Sequence, residues 1–257
     1  MVEQTAVCYL VLAVAAVAVT RLKTKQGGYY MQKVYFSPIY VVLAVFFVVC
    51  LLLSNIVAGK LIDVFGLVLP AAVVLFPVTY IFGDVLTEVY GFKKSRLVIW
   101  LGFTANLFMA LLFMLVLALP HPVFWNGQEA YKAVLGMTPR VVIASLLGYF
   151  CGEFANSTVL SRMKILTQGR WLWTRTVGST VVGEGVDTVI FITLVFWGTV
   201  PRAVLVQMMI AQYLWKVFYE VAATPLTYLI VGWIKKVEGL DTYDYGVKYN
   251  PFSLEVD

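Results

Sequence analysis

Residues 176–199 read TVGSTVVGEGVDTVIFITLVFWGT, a run long enough to cross a bilayer as one α-helix, with Glu184 and Asp187 near its middle. An ionisable side chain near the bilayer centre costs at least about 2.5–3.5 kcal/mol, so such residues need partners, water or a ligand. The stretch therefore predicts a membrane-spanning helix that carries a polar site.

The chain as a whole has the composition of an integral membrane protein. Of its 257 residues, 61% are hydrophobic and 13% are charged, whereas soluble domains average about 25% charged residues. The length suffices for about six or seven spans of roughly 20 residues joined by short loops. We therefore predict an all-α integral membrane protein that forms a single transmembrane domain over residues 1–257.

Apolar runs place the predicted spans. They are roughly 3–20, 37–59, 64–83, 97–119, 139–162, 176–199 and 203–234. The first run is followed, not preceded, by positive charge, so we interpret it as an uncleaved helix and not as a signal peptide. Pro70 and Pro77 indicate that the third span is broken or tilted.

Basic residues orient these spans. Fourteen of the 19 Lys and Arg residues fall in alternate loops: Arg21, Lys23, Lys25, Lys33, Lys93, Lys94, Arg96, Arg162, Lys164, Arg170, Arg175, Lys235, Lys236 and Lys248. The positive-inside rule places those loops and the carboxyl terminus in the cytoplasm. The net charge of +5 then reflects topology and contact with anionic lipid; we expect no nucleic-acid partner, because no basic face with interleaved aromatics is visible.

Several function classes are disfavoured by what the sequence lacks. The three cysteines have no C-x-x-C spacing, the single histidine is His121 between two prolines, and no nucleotide-binding or hydrolase motif is present. We therefore expect no metal, no cofactor and no enzymatic activity. Energy for transport would come from an ion gradient, a concentration gradient or another subunit.

Charged residues inside two spans suggest a shared site. Glu184 and Asp187 are three residues apart, so they share one helix face, where two like charges in low dielectric require a proton or a cation. Lys216, in the last span, either pairs locally with Glu220 or faces Glu184 or Asp187 across the bundle. We favour the second arrangement, with Lys216 as the counter-ion of an empty site.

Small residues recur along the fifth span, as Ala144, Gly148 and Gly152 followed by Asn156 at the same spacing. Such rows allow close approach of helix backbones, so we expect a packing face here. Glu153 lies beside the row. Its interpretations are a proton relay, a substrate contact or an interhelical hydrogen bond.

Residues 82–91, FGDVLTEVYG, form a second polar cluster at the inner end of the third span. In one interpretation Asp84 caps a short interfacial helix that ends at Gly91. In the other, Thr87 and Glu88 belong to a gate or a substrate contact on a discontinuous helix, as is common in transporters. The sequence leaves both open.

Four motifs resemble those of the queuosine precursor transporters, long described as putative vitamin uptake transporters. They are Ser54-Asn55, Asp84-x-Leu86-Thr87-Glu88-x-Tyr90-Gly91, Gly183-Glu184-x-x-Asp187-Thr188, and Tyr213-Leu214-Trp215-Lys216. The resemblance implies a six-helix core, residues 37–235, similar to the substrate-binding subunits of energy-coupling-factor vitamin transporters. Residues 1–20 would then be an extra N-terminal transmembrane helix.

The same resemblance implies uptake of 7-cyano-7-deazaguanine or 7-aminomethyl-7-deazaguanine across the bacterial inner membrane. A carboxylate suits the adjacent N–H donors of a guanine-like edge, an amide suits its carbonyl, and an aromatic ring suits its flat face. The candidate substrate-binding residues are Asn55, Asp84, Thr87, Glu88, Glu184, Asp187 and Lys216; Glu153, Asn156, Trp215 and Glu220 are candidate proton-relay or secondary contacts.

Some questions stay open at this point. Either Glu184 or Asp187 can bind the guanidine edge, and transport can be proton-coupled or facilitated. The expected partners are a small-molecule substrate, the lipid bilayer and further copies of the chain. The alternatives are a membrane-embedded binding module that needs a separate energising complex, and a transporter of another small vitamin-like solute.

Overall fold

The computed structural model of the protein describes residues 19–23, 29–33, 36–58, 60–64, 67–136 and 139–253. Helices dominate them: α1 Pro38–Val57, α2 Phe76–Tyr90, α3 Phe92–Ala118, α4 Gln128–Leu135, α5 Pro139–Leu166, α6 Leu172–Phe196 and α7 Arg202–Glu238. Two short antiparallel hairpins accompany them, β1 Val19–Lys23 with β2 Tyr29–Lys33 and β3 Leu61–Val64 with β4 Leu67–Pro70. The predicted all-α class is confirmed.

Five helices of the described part are long and apolar enough to cross a membrane, namely α1, α3, α5, α6 and α7. They match the predicted spans at 37–59, 97–119, 139–162, 176–199 and 203–234. Large apolar side chains such as Phe46, Phe108 and Leu229 are exposed on them, as lipid-facing side chains should be. The predicted span at 3–20 lies outside the described residues, except for residues 19 and 20.

The third predicted span, 64–83, was wrong in its bounds. The chain forms the β3–β4 hairpin and a 3₁₀ turn, Ala71–Val74, before α2 begins at Phe76. Pro70 ends β4, and Pro77 lies in the first turn of α2, where its missing N–H interrupts no helical hydrogen bond. With 15 residues, α2 is about 22 Å long and too short to cross a hydrocarbon core of about 30 Å.

The short helix α2 is the centre of the bundle. It contacts α1, α3, α5 and α7, and Val85, Leu86 and Val89 are fully buried apolar anchors on it. Asp84, Thr87 and Glu88 are buried among them. A helix enclosed on all sides brings its polar side chains into the interior, so α2 supplies polar groups to the core without facing lipid.

The small-residue row of α5 packs directly on α6, as predicted. A Cβ atom added to Gly152 would lie 2.7 Å from the Cβ of Asp187 and 3.0 Å from the carbonyl oxygen of Gly183. A Cβ atom on Gly183 would lie 2.6 Å from the Cβ of Asn156. The two helices can approach this closely because neither position carries a side chain.

The C-terminal segment, residues 240–253, folds back across one end of the bundle. The backbone N–H of Thr242 donates to the carbonyl of Val89 (3.2 Å), and the Asp244 carboxylate accepts from the first N–H of α3, on Phe92 (2.9 Å). The Trp100 indole N–H donates to the carbonyl of Pro251 (2.8 Å). The segment therefore ties α2, α3 and α7 together at this end.

Replacing Gly152 by Ala should lower the free energy of unfolding by about 1–3 kcal/mol, because the new methyl group would overlap the backbone of α6. Gly232→Ala in α7 is the matched control, since a Cβ there meets nothing within 4 Å and alanine favours helix. Thermal unfolding of both purified variants in detergent provides the measurement. Equal stability of the two would contradict the close α5–α6 packing.

Candidate functional site

Lys216 is the centre of a buried charged cluster. Its ammonium group lies 2.6 Å from Oε2 of Glu184 and also donates a hydrogen bond to Asp187. Lys216 is only 4% exposed, so water contributes little to its solvation. Of the two arrangements considered from sequence, the structure has the pairing across α6 and α7. Tyr80, on α2, adds a hydrogen bond to Glu184.

A second polar group faces the same interior from α2, α5 and α7. The Asn156 amide donates to Oδ1 of Asp84 at 3.0 Å, and Asp84 and Glu220 are each 1% exposed. Four acceptor atoms here are buried without a hydrogen-bond donor among the described residues: Oδ2 of Asp84, Oδ1 of Asn156, and both carboxylate oxygens of Glu220. An unsatisfied buried acceptor costs about 1–3 kcal/mol, so this region suits a ligand rich in donors.

Glu153 joins the two groups. A Cβ atom on Gly83 would lie 2.8 Å from its Oε1, which places the carboxylate against α2. Glu153 is also within electrostatic range of Glu184 and Asp187, as Glu220 is of Glu184. We call Asp84, Glu153, Glu184, Asp187 and Glu220, with Lys216 and Asn156, the carboxylate cluster.

The carboxylate cluster carries more negative than positive groups. Within it, Lys216 is the cationic member, and its ammonium group neutralises at most part of the charge of Glu184 and Asp187. In low dielectric such an excess requires bound protons or a cationic ligand. The donor Nε1 of Trp215 is also buried without an acceptor among the described residues.

Glu88 belongs to a different cluster at the end of the bundle where the C-terminal segment lies. Arg175 donates to both of its carboxylate oxygens (2.7 and 2.8 Å), Lys235 lies 2.7 Å away and Lys164 3.5 Å away. Asp241 bridges the two lysines, at 2.5 and 2.9 Å. We call this the Glu88 clamp; it joins α2, α5, α6 and α7.

The Glu88 clamp holds three cations and two carboxylates, so it has no excess of negative charge. Glu88 is 0% exposed, and both its oxygens have cationic donors. Partial burial raises the pKa of Asp241, but hydrogen bonds from Lys164 and Lys235 outweigh that effect and hold it below its ordinary value. Asp241 is therefore ionised at neutral pH. Its negative charge adds to that of Glu88 in balancing Lys164 and Lys235.

The polar groups of Thr87 and Asn55 are engaged with residues outside the carboxylate cluster. The Thr87 hydroxyl bonds to Ser95 (2.8 Å) and Ser157 (3.1 Å), which holds α2 against α3 and α5. The Asn55 amide donates to Asn106 (3.0 Å) and accepts from Ser145 (3.3 Å). The structure thus brings together seven of the eleven predicted site residues and leaves Asn55, Thr87, Glu88 and Trp215 outside that set.

Sequence reasoning missed Tyr80, Asn106 and Arg175 as partners of the predicted residues. Asn106 did carry a signal, because it is a lone amide in the apolar run 97–119. Arg175 was counted only as a loop charge, although its guanidinium group is buried against Glu88. Tyr80 could not be singled out among the 15 tyrosines of the chain.

Glu88→Gln should lower the free energy of unfolding by about 3–5 kcal/mol, because it leaves the buried Arg175 guanidinium without its counter-charge. Glu129→Gln, an equal change on an exposed position of α4, should stay within about 0.5 kcal/mol of the wild type. Denaturant titration in detergent micelles compares the two. A Glu88→Gln protein as stable as the Glu129→Gln protein would mean that water reaches the Glu88 clamp.

Comparison with known proteins gives two findings. Residues 70–230 match the family described as "putative vitamin uptake transporter". The chain is also 31% identical, over 176 residues, to a protein of Bacillus subtilis (strain 168) named "probable queuosine precursor transporter"; the alignment covers 68% of this chain and 77% of that protein. No solved structure matches. The family match includes every residue of the carboxylate cluster.

Proposed function

The chain belongs to the putative vitamin uptake transporter family, and from that premise we propose that it imports a 7-deazaguanine precursor of queuosine through the carboxylate cluster. The relative's name supports a transporter of this kind. The proposal adds a substrate, a binding site and a direction of transport. In it, the end of the bundle with the Glu88 clamp faces the cytoplasm of a bacterial inner membrane, as the positive-inside rule favours.

The observation that supports the proposal is the set of buried acceptors that find no donor within the described ranges of the chain. Asp84, Asn156 and Glu220 together present four such oxygens in one interior. A 7-deazaguanine offers the complementary pattern, since its guanidine-like edge carries adjacent N–H donors and its five-membered ring carries another. Each hydrogen bond to a charged acceptor contributes about 1.5–3 kcal/mol, which supports binding of a donor-rich heterocycle here.

The excess of negative charge also favours one of the two precursors. The aminomethyl compound carries a cationic amine at neutral pH, whereas the cyano compound is neutral. The carboxylate cluster has five carboxyl groups, and Lys216 pairs with two of them. The remaining carboxyl groups can hold a proton and a cationic ligand together, so the aminomethyl compound should bind more tightly.

Transport in this proposal alternates access around the carboxylate cluster. Lys216 pairs with Glu184 and Asp187 when the site is empty and is displaced from one of them when the ligand's cation arrives. The Glu88 clamp keeps the cytoplasmic end closed, because opening that end requires Glu88 to separate from Arg175, Lys164 or Lys235. Release inward follows when α2 moves away from these cations.

Purified protein in sealed liposomes should take up labelled 7-aminomethyl-7-deazaguanine without any partner protein. Glu220→Gln should weaken binding by about 10-fold to 150-fold, since the amide presents a donor where the ligand presents donors. Glu129→Gln is the control and should not change affinity. Binding without uptake would assign the protein to the binding-module class, and unchanged affinity in both Glu220→Gln and Asp84→Asn would remove this site from the proposal.

Uptake should rise when the outside is made more acidic than the inside, and the rise should vanish with a protonophore. The reason is that clustered carboxylates in low dielectric do not all ionise, so one can carry a proton inward with the substrate. Glu153→Gln should abolish the effect of the gradient while leaving substrate exchange across the membrane. Equal uptake by the wild type with and without the gradient would establish facilitated transport instead.

A further inference from the structure

A basic cavity lies between the start of α3 and the C-terminal segment, apart from the carboxylate cluster. It has a volume of about 320 Å³ and is lined by Lys93, Arg96, Tyr245, Gly246, Val247, Lys248, Asn250 and Ser253. Among these lining residues, all from the described part of the chain, three are cationic and none is a carboxylate. Such a concave site attracts an anion with several acceptor oxygens.

The basic cavity is lined by a buried arginine as well as by lysines nearer the surface. Arg96 is 3% exposed; its guanidinium group lies 5.7 Å from the centre of the Phe92 ring and donates to the carbonyl of Asn250 at 3.0 Å. The hydrogen bond from Trp100 to Pro251 fixes the far side of the C-terminal segment. These contacts hold a charged group in place before any ligand arrives, which limits the entropic cost of binding.

The surroundings of the basic cavity indicate a membrane surface. Tyr245 and Phe252 are 68% and 70% exposed beside it, as aromatic residues at the level of lipid headgroups are. Farther along α3, Leu107, Leu111 and Met114 lie on the same helical face as Arg96 and are exposed. Exposed apolar side chains on this face thus begin about 16 Å along α3 from Arg96 and continue across the span, in the direction that acyl chains would take.

We propose that the basic cavity binds the phosphate group of an anionic phospholipid whose chains lie along α3. Free phosphate shares the headgroup chemistry, but the exposed apolar side chains of α3 have no role in binding it. Basic pockets at the cytoplasmic side of membrane helices are known to bind anionic headgroups. The bound lipid would join α3 to the C-terminal segment, which also supplies Asp241 to the Glu88 clamp.

The test measures binding of short-chain phosphatidylglycerol, short-chain phosphatidylcholine and inorganic phosphate to the full-length protein in detergent. Phosphatidylglycerol should bind most tightly, and Lys93→Gln with Lys248→Gln should weaken it at least about 10-fold. Lys60→Gln with Lys132→Gln makes the same charge change on exposed lysines that do not line the basic cavity and should have no effect. Thermal unfolding of both double variants verifies that they are folded.

Three results would overturn the proposal. Equal binding of phosphatidylglycerol and phosphatidylcholine would show that headgroup charge is not recognised. Equal affinity in the two double variants would show that the basic cavity is not the site. Inorganic phosphate binding as tightly as phosphatidylglycerol would make soluble phosphate the ligand and remove the role of the lipid. None of these results depends on whether the protein transports a deazaguanine.

Discussion

Burying carboxylates inside a bundle whose outer surface faces lipid is the constraint on which the structure depends. The chain meets it in two ways. Glu88 has cations from three helices, and both of its carboxylate oxygens accept hydrogen bonds, so these partners offset part of the cost of burying its charge and connect the helices. Asp84 and Glu220 keep acceptor atoms without donors from the described part of the chain, so their region suits a proton or a ligand. This difference in hydrogen bonding distinguishes the Glu88 clamp, a structural ion cluster, from the carboxylate cluster, a candidate binding site. The sequence motifs make this distinction less clearly.

Backbone contact between α5 and α6 makes the carboxylate cluster compact. Side chains at Gly148, Gly152 or Gly183 would hold the helices apart, because each Cβ would meet Asp187, Asn156 or a carbonyl oxygen. Their absence brings Asn156 and Glu153 of α5 close to Glu184 and Asp187 of α6. The glycines therefore set the distance between carboxylates, and with it the strength of their repulsion and the need for Lys216.

Sequence patterns predicted the elements that depend on local composition. Five spans and the packing row at Gly148 and Gly152 follow from apolar length and residue spacing, and the structure confirms them. The bounds of α2 did not follow, because hydropathy cannot distinguish an apolar hairpin from an apolar helix, and Pro77 is compatible with a helix start as well as a break. The ion pairs of Glu88 were also not predicted, because its cationic partners lie 76 to 147 positions away along the chain.

The position of α2 connects the two clusters mechanically. Asp84 and Glu88 are four residues apart on one helix, so their Cα atoms are separated by one turn, about 6 Å along the axis. A helix of 15 residues enclosed by packed neighbours moves as a rigid unit. Neutralising Asp84 removes the repulsion between it and Glu220, which lies on α7, and so changes the contact of α2 with α7. The Lys235 partner of Glu88 is on the same α7, so a shift of α2 along this contact acts on the Glu88 clamp directly. In the proposed transport cycle, occupancy of the carboxylate cluster and closure of the clamp end would thereby be linked through one short helix that does not itself span the membrane.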